Sequence, residues 1–594
     1  MKSKAIYRHL HLTFVLFLIV IFFIYRFTKI SYGLPFFINL DEISFQGSVL
    51  SSLGFLTGYF EKNVNPYYTS LLNLILILKS IFINEFLINS HNFAQIKSKI
   101  YFNPELFLFY GRVANLTITS ISIFFLYLVF KKLKINFFIY SILLITFSTS
   151  LVALNVSTIM GKNSSYLLIY LIQIYFFIKY LCKIEKFNFK SYFIFGLLAS
   201  LAWGVNYWPA FISIYAVCFL HYKKLKFLKI HYLLTFLVIF FLFGPLINSL
   251  FVSESEQPLN FFLPDNKNIQ FEINLFLKAF IDDVIRSFTI IYSTEKNIVL
   301  LCLITPLFFL NKYTQFKKEF LIIFFLIFEP IFLFSISENL IPQLRYFAGV
   351  NCVILILTGL IFNELNKGNS KYLYTIFLIS NILFIYSNIN VNTKINYIIS
   401  KNHSFYSFND KVGKDRSNIF YLVDLEFQES LKQNLYYLNL YENNLIEKTN
   451  KTKQNLKNIE KKIKIIKNTK NKLIINDNVK KDITYFDYTD FPPIDDLKLF
   501  FDFIKNDFEY IVIEESRPFY LSNLDLQKKI KSYVKENFIL DHIQYKEDKI
   551  FLRSQETVIH YFSKSIIDAE FAKNINNKNL EIIYGTNFSL YKLK

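Results

Sequence analysis

The sequence predicts a polytopic α-helical membrane protein of about eleven transmembrane helices with a C-terminal extracytoplasmic α/β domain. Three observations predict it. The 594 residues are 53% hydrophobic, and up to about residue 390 the apolar residues come in unbroken runs. Those runs reach roughly 18 residues or more, the length that crosses a hydrocarbon core of about 30 Å. Lysine and arginine gather in every other connection between the runs. Beyond residue 390 the runs stop, and a composition rich in Lys, Asn, Asp and Ile takes over. The weakly alternating strands of an outer-membrane barrel are not in evidence.

The first span is expected at 10–28, after the basic stretch Met1–Arg8. That arrangement is also the opening of a signal peptide. The apolar segment runs on to about Tyr25 without a small-x-small cleavage site, so an uncleaved span is the expectation. Further spans are expected at 107–130, 136–155, 165–182, 191–204, 207–221, 231–251, 297–311, 319–336, 346–363 and 372–388. Gly204-Val205-Asn206-Tyr207-Trp208-Pro209 separates the fifth from the sixth. One helix of roughly thirty residues would overreach a bilayer at ordinary tilt, so the chain is expected to turn there.

Charge sets the sidedness. Lys2, Lys4 and Arg8 fall on one side with Lys131, Lys132 and Lys134, with Lys179, Lys183, Lys186 and Lys190, and with Lys223, Lys224, Lys226 and Lys229. Lys312, Lys317, Lys318, Lys367 and Lys371 join them. Positive loops stay in the cytoplasm, which puts the N-terminus in and everything after Asn388 out. The formal charge of +20 is explained by those short loops rather than by nucleic-acid binding.

Two domains follow: a transmembrane domain over 1–389 and an extracytoplasmic α/β domain over 390–594. The first long outer connection, 30–106, is too apolar to be a free loop; Phe45–Phe60 and Tyr67–Leu87 read as helices lying on the interface. The second, 251–296, carries Pro258, Pro264, Asp282, Asp283 and Arg286 and reads as a lid-like excursion. In the C-terminal part, strands are expected at Ile419–Val423, Tyr510–Ile513, Ile550–Leu552 and Leu580–Tyr584, and helices at Leu497–Lys505 and Leu524–Asn537. Leu456, Ile459, Ile463 and Ile466 recur at helical spacing among lysines, which reads as a basic amphipathic helix that either touches anionic headgroups or, as the ordinary case, shows the solvated face of a domain helix.

Several classes of chemistry find no residues. The four cysteines form no C-x-x-C pair, so neither a disulfide framework nor a zinc site is indicated. P-loop, dinucleotide and Gly-x-Ser-x-Gly fingerprints are missing. His221 and His231 flank basic loops and are expected at the cytoplasmic interface. Asp41-Glu42, in Asn39-Leu40-Asp41-Glu42, lies just past the outer end of the first span. A carboxylate there serves as a general base toward a hydroxyl, or is simply solvated; position alone leaves both open.

An ordered set of features resembles the C-type superfamily of membrane glycosyltransferases (GT-C), in particular the protein O-mannosyltransferases and aminoarabinose transferases. The set begins with one span, then the acidic pair Asp41-Glu42, then a surface helix opened by Asn65-Pro66-Tyr67-Tyr68 and continued by Leu71-Leu72-Asn73-Leu74. A Gly-Arg-led second span follows as Tyr110-Gly111-Arg112-Val113-Ala114. The fifth span shows a Gly-x-x-x-x-Leu-Ala pattern at Gly196-Leu197-Leu198-Ala199-Ser200-Leu201-Ala202. Last comes Pro342-Gln343-Leu344-Arg345-Tyr346-Phe347 at the outer start of a late span. The resemblance covers about 1–365.

It implies transfer of a sugar from a polyprenyl-phosphate donor to a lipid, glycan or protein acceptor on the outer face, normally with inversion. Asp41 matches the family's base, and Glu42 would hold the acceptor or orient Asp41. The leaving phosphate needs a cation, and a guanidinium pairs its oxygens through a planar fork. Arg345 is the first candidate, with Tyr346 as hydroxyl donor; snorkelling toward headgroups is its ordinary alternative. Arg112, Lys162 and Arg286 are further candidates for the donor phosphate. Tyr67 and Tyr68, with Tyr207 and Trp208, fit an interfacial aromatic belt or a stacking platform for a sugar.

Relatives carry a second acid before the fourth span. Here Asn155-Val156-Ser157-Thr158-Ile159-Met160-Gly161-Lys162-Asn163-Ser164 has none, and Asn163 stands where it would be. A tight divalent-metal site is therefore disfavoured, and no cofactor is expected. The usual His-Pro element is Asn65-Pro66, so a role for that histidine does not carry over. The implied location is the plasma (inner) membrane. The rival readings are a transporter or flippase for a lipid-linked saccharide, and an O-antigen-ligase-like enzyme.

Overall fold

The computed structural model describes residues 2–28, 30, 104–158, 160–205, 209–226, 228–246, 273–310, 316–328, 330–331, 344–367, 371–399, 419–422, 509–514, 532–546 and 587–594. Up to Ile399 the described residues are almost entirely helical. In chain order the helices are α1 (Lys2–Phe27), α2 (Pro104–Lys132), α3 (Phe137–Thr149), α4 (Leu151–Thr158), α5 (Asn163–Cys182), α6 (Phe189–Val205) and α7 (Pro209–Leu225). They continue as α8 (Ile230–Phe241), α9 (Ile273–Thr294), α10 (Asn297–Leu310), α11 (Lys317–Phe324), α12 (Ala348–Lys367) and α13 (Lys371–Ile399).

Five of these hold stretches long and apolar enough to cross a membrane: His9–Phe27, Leu108–Lys132, Asn163–Cys182, Ala348–Asn366 and Tyr372–Asn390. The number is six if α3 and α4 count as one bent span. Shorter apolar helices occupy Phe189–Val205, Ile230–Leu246 and Asn297–Leu310, where other spans were expected. Two of them contain proline. Helix α8 passes into a π-helical turn, Leu242–Leu246, that contains Pro245, and α10 carries Pro306. Proline removes an intrahelical donor and clashes with the preceding turn. The expected turn between the fifth and sixth spans lies where α6 ends at Val205 and α7 begins at Pro209.

Helix α12 is the central pillar: residues 348–365 are all buried, and it packs against α3, α5, α10, α11 and α13. Helices α1 and α13 are peripheral. They turn Leu16, Phe17, Val20, Ile24, Ile376, Ile379, Leu383 and Tyr386 outward. So large an exposed apolar surface is poorly served by water, and lipid is the solvent that suits it. The small-residue pattern on α6 is a packing device. A Cβ at Gly196 would lie 2.9 Å from Ile239 Cγ2 and 3.2 Å from the Phe236 carbonyl oxygen, so only glycine lets α8 approach this closely. Ala199, Ser200 and Ala202 are buried beside it.

The basic turns gather at one end. Lys224 Nζ donates to the carbonyls of Glu185, at 3.1 Å, and Phe187. Cys182 lies within the electrostatic reach of Lys132, Lys134, Lys223 and Glu319. The backbone N–H of Asn136 donates to Asn363 Oδ1 at 2.8 Å, tying the start of α3 to the end of α12. His221, expected at the cytoplasmic interface, lies near the end of α7 just before Lys223 and Lys224. It is buried, with Nδ1 2.7 Å from the Tyr192 hydroxyl.

The outer connection expected at 155–164 is also different, because its first part is α4, all of whose residues are buried. The chain bends by 56° between α3 and α4. Thr146, Ser148 and Thr149 each turn a hydroxyl back onto the carbonyl four residues earlier, which loosens the last turn of α3. Ser150 then adopts an extended backbone, and its Oγ accepts the Ala153 N–H at 3.1 Å. That is N-capping, and it restarts the helix.

The C-terminal residues form a four-stranded mixed sheet of order β1-β2-β4-β3, with β1 (Ile419–Leu422), β2 (Tyr510–Glu514), β3 (Phe538–Lys546) and β4 (Asn587–Leu593). β1 pairs parallel to β2, and β4 runs antiparallel to both β2 and β3. Ile511, Val534, Phe538, Leu590 and Tyr591 are buried. β1 and β2 match expected strands to within a residue, and 532–537 is helical as expected at that end. Strands β3 and β4 were not foreseen. The expected elements at Ile550–Leu552, Leu580–Tyr584 and Leu497–Lys505 lie outside the described residues, as do the amphipathic stretch at 456–466 and the interfacial helices at Phe45–Phe60 and Tyr67–Leu87.

Candidate functional site

Helix α1 ends near Thr28, and the chain re-enters the description at Pro104, the start of α2. Arg112 joins the two. Its side chain is buried, and Nη1 donates to the Ile30 carbonyl at 2.7 Å. Three residues on, on the same face of α2, Asn115 Nδ2 donates to the Gly161 carbonyl at 3.1 Å. Asn115 Oδ1 in turn accepts from Ser164 Oγ at 2.9 Å. Gly111 makes this approach possible, because the Met160 side chain fills the volume a Cβ would need, with Cγ only 2.7 Å from that point.

Helix α5 begins in the same place. Lys162 precedes it, partly exposed, and gives no side-chain cap. Asn163 is its first residue and is buried. The first N–H groups of a helix have no intrahelical partner, and the macrodipole makes this end positive. A lysine beside such an end adds to its attraction for a phosphate.

Two further elements complete the arrangement. Helix α4 packs against α2 and against the 3₁₀ turn Leu344–Phe347 that leads into α12. It carries Asn155, which is buried and among the described residues has hydrogen-bond partners for neither Nδ2 nor Oδ1. A buried amide is rarely left in that state, since each open group costs about 1–3 kcal/mol. The 3₁₀ turn docks on α5 through the Tyr166 hydroxyl, which donates to the Tyr346 carbonyl at 3.0 Å. Just beyond, Gly349 lies against the ring of Tyr170, with no room for a Cβ.

The structure thus brings together Arg112, Lys162, Asn163 and Tyr346 from separate parts of the sequence. They lie at the end of α2 and α5 opposite the basic turns, since those helices finish at Lys131–Lys132 and Lys179–Cys182. Asp41, Glu42, Tyr67 and Tyr68 lie outside the described residues. The backbones of Arg345 and Arg286 fall in the 3₁₀ turn and in α9, and their side chains lie outside the description.

Sequence reasoning singled out neither Arg26 nor Asn115, and it placed Asn155 at this end only as the start of the outer connection. Arg26 is wholly buried near the end of α1, donates from Nη2 to the Ser148 carbonyl at 3.2 Å, and lies over the rings of Phe22 and Tyr25. The Ser148 carbonyl is released from the helix ladder by the bend at Ser150. For all three the available signal was a polar side chain interrupting an apolar run. Among the described residues no three His, Cys, Asp or Glu side chains gather; the charged residues described at this end include Arg26, Arg112 and Lys162. No protein-family model, curated protein or solved structure matches this chain.

Proposed function

We propose that this chain is an integral membrane glycosyltransferase that moves a sugar from a polyprenyl-phosphate donor to a hydroxyl of a lipid, glycan or protein on the outer face. One observation carries the reading. Arg112, the N-terminus of α5 with Lys162 and Asn163, the unpartnered amide of Asn155 and the Arg345–Tyr346 turn meet at one end. That end adjoins the point where the segment bearing Asp41 leaves α1.

The chemistry asks for such a combination. As the anomeric bond breaks, negative charge grows on the departing phosphate, and fixed cations and N–H groups stabilise it without reorganising. Arg345 would grip the phosphate, with Arg112 and Lys162 supplying further positive charge. Asp41 would take the acceptor's proton as its oxygen attacks from the opposite side, and Glu42 would orient Asp41 or the acceptor. Tyr67 and Tyr68 remain candidates for sugar stacking. The resemblance to C-type glycosyltransferases supports the same roles. With it go an eleven-span topology, N-terminus in and C-terminus out, in the plasma membrane, and an outer domain over 390–594 that engages the acceptor.

A second reading, a transporter of a lipid-linked saccharide, draws on the broken α3–α4 span and on the buried Glu295. Both features recur where substrates cross membranes. A single experiment separates the two. The full chain in proteoliposomes is given a polyprenyl-phosphate sugar, and both sugar transfer and movement of the intact donor are followed. Asp41→Asn is expected to lower transfer by about 10²–10⁴-fold, the usual contribution of a general base. Unchanged transfer removes Asp41 from the role. Movement of intact donor without transfer selects the transporter.

A further inference from the structure

Thr294 closes α9, Glu295 follows, and Asn297 opens α10; all three are sealed inside the bundle. Around this break stand Asn351 on α12, Asn381 midway along α13 and Thr146 on α3, equally buried. Hydrogen bonds connect them. Asn297 Nδ2 donates to Glu295 Oε1 at 2.9 Å and to Asn381 Oδ1 at 3.2 Å. The Asn297 backbone N–H also donates to Glu295 Oε1, at 3.2 Å. The Thr146 hydroxyl, which donates to the Ile142 carbonyl at 3.0 Å, lies 3.3 Å from Asn381 Oδ1, and Asn351 Nδ2 donates to Thr294 Oγ1 at 3.1 Å.

The donors fix which way each amide faces. The single hydroxyl proton of Thr294 goes to the Ile290 or Ile291 carbonyl, so its Oγ1 accepts and Asn351 must turn Nδ2 toward it. Asn381 Nδ2 is engaged with the Phe377 carbonyl at 3.0 Å, so its Oδ1 faces Asn297, which must present Nδ2. Two amide oxygens are left over. Asn297 Oδ1 and Asn351 Oδ1 are buried and accept no hydrogen bond from the described residues. They belong to residues held to the adjacent positions Glu295 and Thr294.

The carboxyl has no cationic partner among the described residues. Neighbouring Lys296 is exposed, with Nζ 3.2 Å from Ser387 Oγ. A buried carboxylate without a compensating positive charge is strongly disfavoured. A water molecule would satisfy the open oxygens but bring no charge; a cation does both. One carboxylate among neutral amide and hydroxyl oxygens balances a single positive charge, whereas calcium or magnesium takes more carboxylates or keeps several waters. Hard oxygen donors suit an alkali ion. The C-terminal end of α9, at a helix break inside a bundle, favours a cation as well.

We propose that Glu295, with the side-chain oxygens of Asn297, Asn351 and Thr294, binds a sodium ion that fastens the α9–α10 break to α12 and α13. The site stands apart from the glycosyl-transfer reading and is tested without it. Equilibrium binding of ²²Na⁺ to the detergent-solubilised full chain is measured in choline chloride. Thermal unfolding is compared in sodium chloride and choline chloride at equal ionic strength. Wild type is expected to show saturable ²²Na⁺ binding and a higher melting temperature in sodium. Glu295→Gln, which keeps the size of the side chain, is expected to lose both effects, and Asn351→Leu to weaken them. Should Glu295→Gln not fold, Asn351→Leu and Thr294→Val locate the site instead. Absence of saturable binding to folded wild type overturns the proposal, as would occur if the proton alone neutralised Glu295. Undiminished binding in the folded variants overturns it equally.

Discussion

Gly349 gives the sharpest test of how the Arg345–Tyr346 turn is held. A methyl group there would lie 2.7–2.8 Å from three ring carbons of Tyr170. Ordinary carbon contacts are about 3.5–4.0 Å, so the ring would have to retreat by roughly 1 Å. Tyr170 is fully buried and packs edge-on against Tyr166 at 5.7 Å. Tyr166 in turn holds the Tyr346 carbonyl at 3.0 Å. The displacement therefore runs straight into the contact that docks the turn. Overpacking of this kind costs about 1–3 kcal/mol. At about 2–4 °C per kcal/mol for a sizeable domain, Gly349→Ala should lower the melting temperature by several degrees. Thermal unfolding of the purified chain in detergent is the assay. Tyr170→Leu, placed in the same background, frees the space and should restore part of the loss, with a coupling of about 0.5–3 kcal/mol. A Gly349→Ala protein that melts with wild type, or strictly additive single and double variants, would refute the reasoning.

Three further expectations come from the same end of the bundle. Asn155→Leu removes two unpartnered buried polar atoms. It should leave the melting temperature unchanged or raise it while sugar transfer falls; a loss of stability without loss of transfer would make Asn155 purely structural. Arg112→Met leaves the Ile30 carbonyl without its 2.7 Å partner. It should destabilise by about 1.5–3 kcal/mol, the range for a charge-assisted bond, and weaken donor use; an effect on neither contradicts both roles. Ser150→Ala removes the N-cap of α4 and should cost about 1 kcal/mol in a thermal melt, whereas Ser150→Asn should cost little.

The helices were legible where apolar runs end on strong punctuation. Gly204 and Pro209 marked the turn between α6 and α7, and the lysine clusters marked the turns that gather at one end of the bundle. The bend at Ser150 was not legible, because hydroxyl side chains leave an apolar run intact while their back-bonding and capping act only in three dimensions. Thr294-Glu295-Lys296-Asn297 reads as an ordinary polar loop; only packing against Asn351 and Asn381 makes it interior. Strand β4, Asn587–Leu593, was not legible either: Phe588-Ser589-Leu590 alternates, but Tyr591 follows Leu590 directly and both are buried, so the period of two breaks. At the candidate site, Arg112, Lys162, Asn163 and Tyr346 were each visible as polar or aromatic residues at the ends of spans. Their convergence depends on Gly111, Asn115 and Tyr166, whose roles are contacts across some fifty to two hundred residues of sequence.

The most direct measurement of the proposed function uses proteoliposomes sorted by whether the C-terminal residues face outward. Polyprenyl-phosphate-linked hexoses and pentoses are placed in the outer leaflet, and the appearance of free polyprenyl phosphate is followed together with sugar on an acceptor lipid. Vesicles with Lys594 outward are expected to release the phosphate as the sugar is transferred, and vesicles of the opposite orientation to leave the donor intact. Donor that crosses the bilayer with its sugar still attached, in either orientation, would contradict the proposal.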